Sequence, residues 1–246
     1  MHPSEPGPGE RLLTGLLAAL DRAERHERPF GHLLLEDVVS PEMHATLRER
    51  LPAPETYDPD RPQKYRRPDG TVARSVLPLD DHGIAPLPPD RRGFWADVRR
   101  SLSSPALKAR VFGLLGRDLG RRFRVSPDSL AGLAAHPRAS LVRDLPGYWI
   151  EPHPDSPAKV VTLQIYLPSH GSPRHLGTSF YRLRPWGFLR TGRLLEEFRR
   201  VPFEPGCGYA FAVGTKSWHG VERIPDGSGV RDSLMLVWFR DPARRR

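Results

Sequence analysis

A chain of 246 residues can bury one large core and is too short for more than two modest domains. Its 38 Lys and Arg against 29 Asp and Glu give a formal charge of +9, but the arginines are scattered in pairs such as Arg66-Arg67, Arg121-Arg122 and Arg199-Arg200 among acids and prolines. That diffuse excess, without a zinc-finger spacing, an RNP-like strand or a Gly-Lys loop, argues against a nucleic-acid partner and for a preference toward small anions.

Residues 1–9 hold three prolines and two glycines and are expected to be disordered. Leu12, Leu13, Leu16, Leu17 and Leu20 recur at helical spacing and predict an amphipathic helix from Glu10 to about Arg25. Thr14 and Gly15 interrupt that apolar run, so neither a signal peptide nor a membrane span is read there. With Cys207 as the lone cysteine, no intramolecular disulfide can form, and a cytoplasmic location is expected. Phe30 to Val39 reads as a strand. Ser40-Pro41, a capping hydroxyl before a proline, starts a helix that ends before Pro52.

Prolines from Pro52 to Pro89 prevent a long helix in residues 52–93, where Thr71 to Leu77 predicts a short strand. Tyr57, Tyr65, Arg66, Arg67 and Arg74 make residues 57–76 either a substrate-side lid or an ordinary surface excursion. A short helix is expected at Phe94–Leu102. Ser104-Pro105 then opens a longer one, with Leu107, Val111, Leu114, Leu115 and Leu119 on its buried stripe. Strands follow at Leu141–Leu145, Tyr148–Ile150, Val160–Leu167, Thr178–Leu183, Tyr209–Val213, His219–Ile224 and Ser233–Phe239. Helices first and mostly antiparallel strands afterwards predict one domain, 1–246, mostly β. Residues 10–140 would supply helical support and the loop, 141–240 a double-layered core, and 241–246 a tail.

His153 and Asp155 leave an extended segment on the same side, stiffened by Pro152 and Pro154. With His219 as a distant third, they form the two-histidine, one-carboxylate set of a non-haem Fe(II) centre with open positions. His170 or His175 could replace His219 in that scheme. Arg231 and Ser233 share a face of the last strand, where a guanidinium fork and a hydroxyl suit a carboxylate. The alternative is a surface pair of Arg231 with Asp226 or Asp232. Thr162, Gln164 and Tyr166 share a polar face, which places Gln164 and Tyr166 either near co-substrate or iron, or in structural hydrogen bonds. Trp149 and Glu151 share parity with His153 and are candidates for the substrate side. Arg143 could meet a substrate anion or form an exposed salt bridge with Asp144 or another acid. Phe211, with Tyr209 and Val213, reads as core.

His153-Pro154-Asp155, the distal His219 and Arg231-Asp232-Ser233 twelve residues later resemble the signature of the Fe(II)/2-oxoglutarate-dependent dioxygenases. The resemblance covers residues 141–240. It implies a double-stranded β-helix (jelly-roll, cupin-like) core buttressed by helices, iron on His153, Asp155 and His219, and 2-oxoglutarate anchored by Arg231 and Ser233. It also implies O2-dependent oxidation of a substrate C–H bond coupled to release of succinate and CO2. Asp155 sets the chain apart from alkyl halogenases, which lack that carboxylate. Val237 stands where nucleic-acid repair members carry a second arginine. The expected substrate is a small anionic metabolite such as an amino acid or natural-product intermediate, turned over by a monomer or weak homodimer with no membrane partner. A protein or peptide side-chain hydroxylase and a non-catalytic jelly-roll binding protein are the alternatives, and Arg66 and Arg74 join the candidate substrate contacts.

Overall fold

Strand parity divides the protein into two cores. On Lys159–Tyr166, Val161, Leu163 and Ile165 join an apolar cluster with the helices, while Thr162, Gln164 and Tyr166 point the other way. The computed structural model describes residues 5–59, 70, 72–184 and 194–240. In chain order these form α1 (Pro8–Arg22), β1 (Glu24–His26), β2 (His32–Leu35), α2 (Pro41–Glu49), β3 (Asp58–Pro59), β4 (Arg74–Pro78), α3 (Asp81–Ile84), α4 (Pro89–Leu102), α5 (Pro105–Leu114) and α6 (Gly116–Phe123). The strands β5 (Ala135–Asp144), β6 (Ile150–His153), β7 (Lys159–Tyr166), β8 (Ser179–Leu183), β9 (Leu195–Arg200), β10 (Gly208–Ala212), β11 (His219–Val221) and β12 (Arg231–Arg240) follow.

An eight-stranded sheet, in the order β1-β2-β10-β7-β12-β5-β4-β3, lies over a four-stranded sheet, β6-β11-β8-β9, with every pairing antiparallel. Leu234, Leu236 and Trp238 of β12 face the helices, where Leu12, Trp95 and Val111 cover them. Tyr166, Tyr209 and Phe211 face the smaller sheet and meet Phe180, Val201 and Phe203. This is the expected double-layered β core with helices on one side. No helix among the described residues is long and apolar enough to cross a membrane.

Several boundaries differ from those the sequence predicts, each for a local reason. Order starts earlier than Glu10: Pro8 takes the first position of α1, and the Gly9 amide donates to Asp97 Oδ2 at 2.8 Å. A Cβ on Gly9 would overlap the Asp97 carbonyl, so glycine is what lets α1 begin against α4. The same helix stops at Arg22, and β2 spans only His32–Leu35, because Asp37 turns the chain at φ 50°. Helix α4 starts five residues before Phe94, in a polar turn that carries no apolar period. The predicted long helix breaks at Leu115 into α5 and α6, although Leu107, Val111, Leu115 and Leu119 remain one buried stripe. Ser40 and Ser104 cap α2 and α5 as expected, accepting from Met43 N and Ala106 N.

The larger sheet also recruits the N-terminal half. Strand β2 pairs with β10 and β4 with β5, so the β core extends beyond 141–240. The ends of the expected lid are anchored: Tyr57 is buried in the helix-side core, and Val76 pairs with Val142. Tyr65, Arg66 and Arg67 lie outside the described residues.

His32 is fully buried among Phe30, Phe180 and Phe198, donates from Nδ1 to Phe30 O at 2.9 Å and leaves Nε2 without a partner. Burial lowers its pKa to about 4, from 6.5. A histidine whose folded pKa is depressed takes up a proton more readily when unfolded. Stability is therefore lost as pH falls below 6.5, and the loss levels off near 4. For a shift of this size the loss is roughly 3 kcal/mol. Urea unfolding of a His32→Leu variant should show a smaller drop between pH 7 and pH 4.5 than the parent, and an unchanged drop would remove His32 from the acid response.

Candidate metal centre

Strands β6 and β11 are neighbours, and their register places His219 directly opposite His153, with ring centroids 4.6 Å apart. Asp155 follows two residues beyond β6, and ligand atoms from the three side chains lie within 4.8 Å of one another. Among the described residues no other three metal-ligating side chains gather this way. His153 Nδ1 sits 2.9 Å from Glu151 O, and His219 Nδ1 sits 3.0 Å from Ser217 O. A carbonyl can only accept, so each Nδ1 carries the proton and each Nε2 keeps a lone pair for a metal.

Asp155 is gripped at both oxygens. Lys159 Nζ reaches Oδ1 at 2.5 Å and Thr162 Oγ1 donates to Oδ2 at 2.8 Å, while His219 Nε2 lies 4.0 Å from Oδ2. Burial by itself would raise this carboxyl's pKa; His219, Lys159 and Thr162 reverse the effect and hold it below the usual carboxylate range. Burial also lowers His219 to about 4, so its ring is neutral near pH 7. Two imidazoles, each held at Nδ1 by a backbone carbonyl, and one ionised carboxylate fit Fe(II).

Deeper between the sheets lies a directional chain of hydrogen bonds. Arg231, 1% exposed, donates from Nη2 to Thr178 Oγ1 at 2.9 Å. Thr178 Oγ1 lies 3.2 Å from Tyr209 OH and donates to it; Tyr209 OH donates to Gln164 Oε1, and Gln164 Nε2 donates to Ser233 Oγ at 2.6 Å. Tyr166 OH closes the group by accepting from Thr178 N at 2.7 Å. Arg231 also donates from Nε to Leu176 O at 2.6 Å and from Nη1 to Asp144 Oδ2 at 2.7 Å. Its guanidinium lies over the Tyr166 ring at 5.1 Å. Asp144 is itself shared: Oδ1 is 3.3 Å from Arg74 Nε, an ion pair rather than a hydrogen bond. The cross-strand row Arg231–Asp144–Arg74 therefore alternates in charge on one face of β12, β5 and β4.

No protein-family model and no curated protein matches the chain. Solved structures do. A prolyl-4-hydroxylase from Pseudomonas putida superposes with a TM-score of 0.52 at 16% identity, covering 92% of this chain and 99% of that one. The non-haem α-ketoglutarate-dependent epimerase SnoN of nogalamycin biosynthesis gives 0.52 at 14%, covering 93% and 82%. The carbocyclase SnoK, of the same dependence and pathway, gives 0.51 at 12%, covering 92% and 83%. This chain has the 2-oxoglutarate oxygenase fold.

Within that jelly-roll the structure sorts the residues singled out by sequence. His153, Asp155 and His219 converge, whereas His175 sits in a turn with its carbonyl bonded to Arg200. Gln164, Tyr166, Arg231 and Ser233 share one buried network. Arg231 is not the surface pair considered from sequence: its carboxylate is Asp144, not Asp226 or Asp232. Asp144, in turn, is fully buried and does not serve Arg143. Arg143 lies on the helix-side parity of β5 beside Asp232, 3.9 Å away, across the sheet from the candidate metal ligands. Trp149 is 37% exposed under Arg223, and Glu151 is exposed with its carbonyl holding His153. Arg74 reaches Tyr148 OH and Asp144 rather than the metal ligands, and Arg66 lies outside the described residues.

Thr178 and Tyr209 were not singled out for the site. Tyr209 belongs to the core and also relays the Arg231 hydrogen bonds to Gln164; its place opposite Gln164 is set by the β10–β7 register, which no local pattern reveals. Phe211, expected as core, is buried, its ring tilted by 50° against that of His219 with centroids 4.7 Å apart. Gly177 sets the position of Thr178: a Cβ there would overlap the Val201 carbonyl oxygen and crowd Phe203 N. Gly177→Ala should cost about 3 kcal/mol, as overpacking against backbone does. Thermal melting checks this, and an unchanged Tm would show that the β8–β9 junction yields without cost.

Proposed function

We propose that this protein is an Fe(II)/2-oxoglutarate-dependent oxygenase that oxidises a small molecule. The observation that carries the reading is the placement of the His153–Asp155–His219 cluster and the buried Arg231 network in the same space between the sheets. His153 and His219 would hold iron through Nε2, and Asp155 through a carboxylate oxygen. Iron with 2-oxoglutarate and O2 supplies an oxidant able to attack a C–H bond, releasing succinate and CO2.

The chain's own residues set the conditions for that chemistry. Glu151 O and Ser217 O fix both imidazole rings, and Lys159 and Thr162 orient the Asp155 carboxylate. Of the five N–H groups of Arg231, one goes to Leu176 O, one to Asp144 and one to Thr178. The Tyr166 hydroxyl also draws on this guanidinium, and the N–H groups left on its terminal nitrogens would donate to the far carboxylate of the co-substrate. Ser233 and Gln164 add polar groups beside that position. Phe180 and Phe211 wall the space and exclude water.

Hydroxylation, desaturation and cyclisation share these steps, and we leave the outcome to the substrate. We place the enzyme in the cytoplasm as a monomer or weak homodimer. The test is anaerobic titration with Fe(II) and then 2-oxoglutarate, followed by succinate measurement on admitting air. Tight Fe(II) binding lost in His219→Ala, together with succinate formation, supports the reading; normal Fe(II) binding in His219→Ala overturns it.

A further inference from the structure

A cavity of about 590 Å³ has Met235, Val237 and Phe239 of β12 among its lining residues. These three share parity with Arg231 and Ser233, so they continue the face that carries the buried network. Two side chains tie the cavity to the candidate metal ligands. Lys159 lines it and holds Asp155 Oδ1. Thr162 is the cross-strand partner of Val237 and donates to Asp155 Oδ2. A molecule resting on Val237 would therefore lie against the residues that position the metal carboxylate.

The charges lining the cavity are unequal: Arg99, Arg138 and Lys159 face a single acid, Asp80. Asp80 is engaged in capping α3, accepting from Gly83 N at 2.8 Å. Arg99 is paired with Asp81 at 2.7 Å, and Lys159 with Asp155. Arg138 differs. Its guanidinium carbon lies over the Phe239 ring, 5.0 Å from the centroid, and it makes no ion pair among the described residues. With no carboxylate among the described residues taking its N–H groups, the fork is available to an anion. The cavity thus offers an apolar floor with one uncommitted cationic fork at its edge, and its volume falls in the usual range for small-molecule sites.

We infer that this cavity is the substrate site, and that the substrate is a small molecule with an apolar body and one anionic group taken by Arg138. The inference rests on the oxygenase reading for its chemistry, but not for its binding test. Arg143 lies on the helix side of β5, and neither Trp149 nor Glu151 is among the cavity's lining residues, which include Arg138, Val237 and Phe239.

Phenylbutyrate and phenylbutanol share an apolar body and differ in charge, so calorimetry with both probes tests the assignment. The protein is held anaerobically with Fe(II) and saturating 2-oxoglutarate, which fills the Arg231 position first. The acid should bind at least about tenfold more tightly than the alcohol. Arg138→Ala should abolish that preference, Arg138→Lys should restore part of it, and Val237→Trp should block both probes. Equal binding of acid and alcohol, displacement of the acid by 2-oxoglutarate, or an undiminished preference in Arg138→Ala would overturn the inference. The exposed Arg138 series decides the matter even if Val237→Trp fails to fold. Absence of Fe(II) binding would overturn the oxygenase reading alone, and the same probes on the metal-free protein would still decide the cavity.

Discussion

Asp155→Ala is expected to weaken Fe(II) binding by at least about a hundredfold and to abolish succinate formation, with the fold retained. Outer partners of metal ligands commonly contribute 10–100-fold in affinity, so loss of the ligand itself must exceed that. The Asp155 carboxylate is held below the usual carboxylate range, so it is ionised throughout the neutral region and the loss is of a charged donor. Removing it also leaves the Lys159 ammonium beside a neutral His219, which repels an incoming cation. Thr162→Val provides a graded comparison: it deletes one hydrogen bond to Oδ2 and should weaken binding by about tenfold. Anaerobic Fe(II) titration measures both. Equal affinities for Asp155→Ala and the parent would remove the carboxylate from the centre. Circular dichroism of Asp155→Ala separates this from unfolding.

The candidate metal cluster was legible because its chemistry can be read from residue type and strand parity. His153-Pro154-Asp155 sits on a stiff extended segment, and His219 begins a strand, so residue type and parity suffice to nominate all three. The sheet order was legible only in outline. The period-two pattern of Val160–Leu167 separates a helix face from an inner face, and both faces behave as the pattern requires. It does not say that His32–Leu35 reaches across the chain to pair with β10, or that Arg74–Pro78 closes on β5. Those pairings depend on contacts remote in sequence, and three consecutive leucines at 33–35 hide the alternation of β2. Arg143 shows the same limit. Its charge was visible, but its side of the sheet is fixed by register with Asp232, so the sequence nominated it for a face it does not occupy. Tyr209 was hidden for the opposite reason: an aromatic on a buried strand reads as packing, and only its position opposite Gln164 makes its hydroxyl part of a polar chain.

Arg231→Ala is expected to be the most damaging single change between the sheets, because it removes both a structural charge and a binding fork. Asp144 is fully buried and shares its charge between Arg231 and Arg74. Deleting one partner of a buried pair costs about 3–5 kcal/mol, since the remaining charge stays desolvated. For a chain of this length that lowers Tm by on the order of 10 °C. Loss of a charge-assisted bidentate contact should also raise the 2-oxoglutarate Kd by at least about a hundredfold. Arg231→Lys keeps the charge near Asp144 but loses the fork, so it should recover much of the stability and little of the affinity. Asp144→Asn is the decisive companion. It leaves Arg231 in place and makes its surroundings more cationic, so Tm should fall while 2-oxoglutarate binding stays at least as tight as in the parent. Calorimetric Kd values and melting curves for the three variants, collected with Fe(II) under argon, distinguish the two roles. If affinity tracks Tm across all three, Arg231 serves only to neutralise Asp144. If affinity is lost in both Arg231 variants and kept in Asp144→Asn, the guanidinium binds the co-substrate itself.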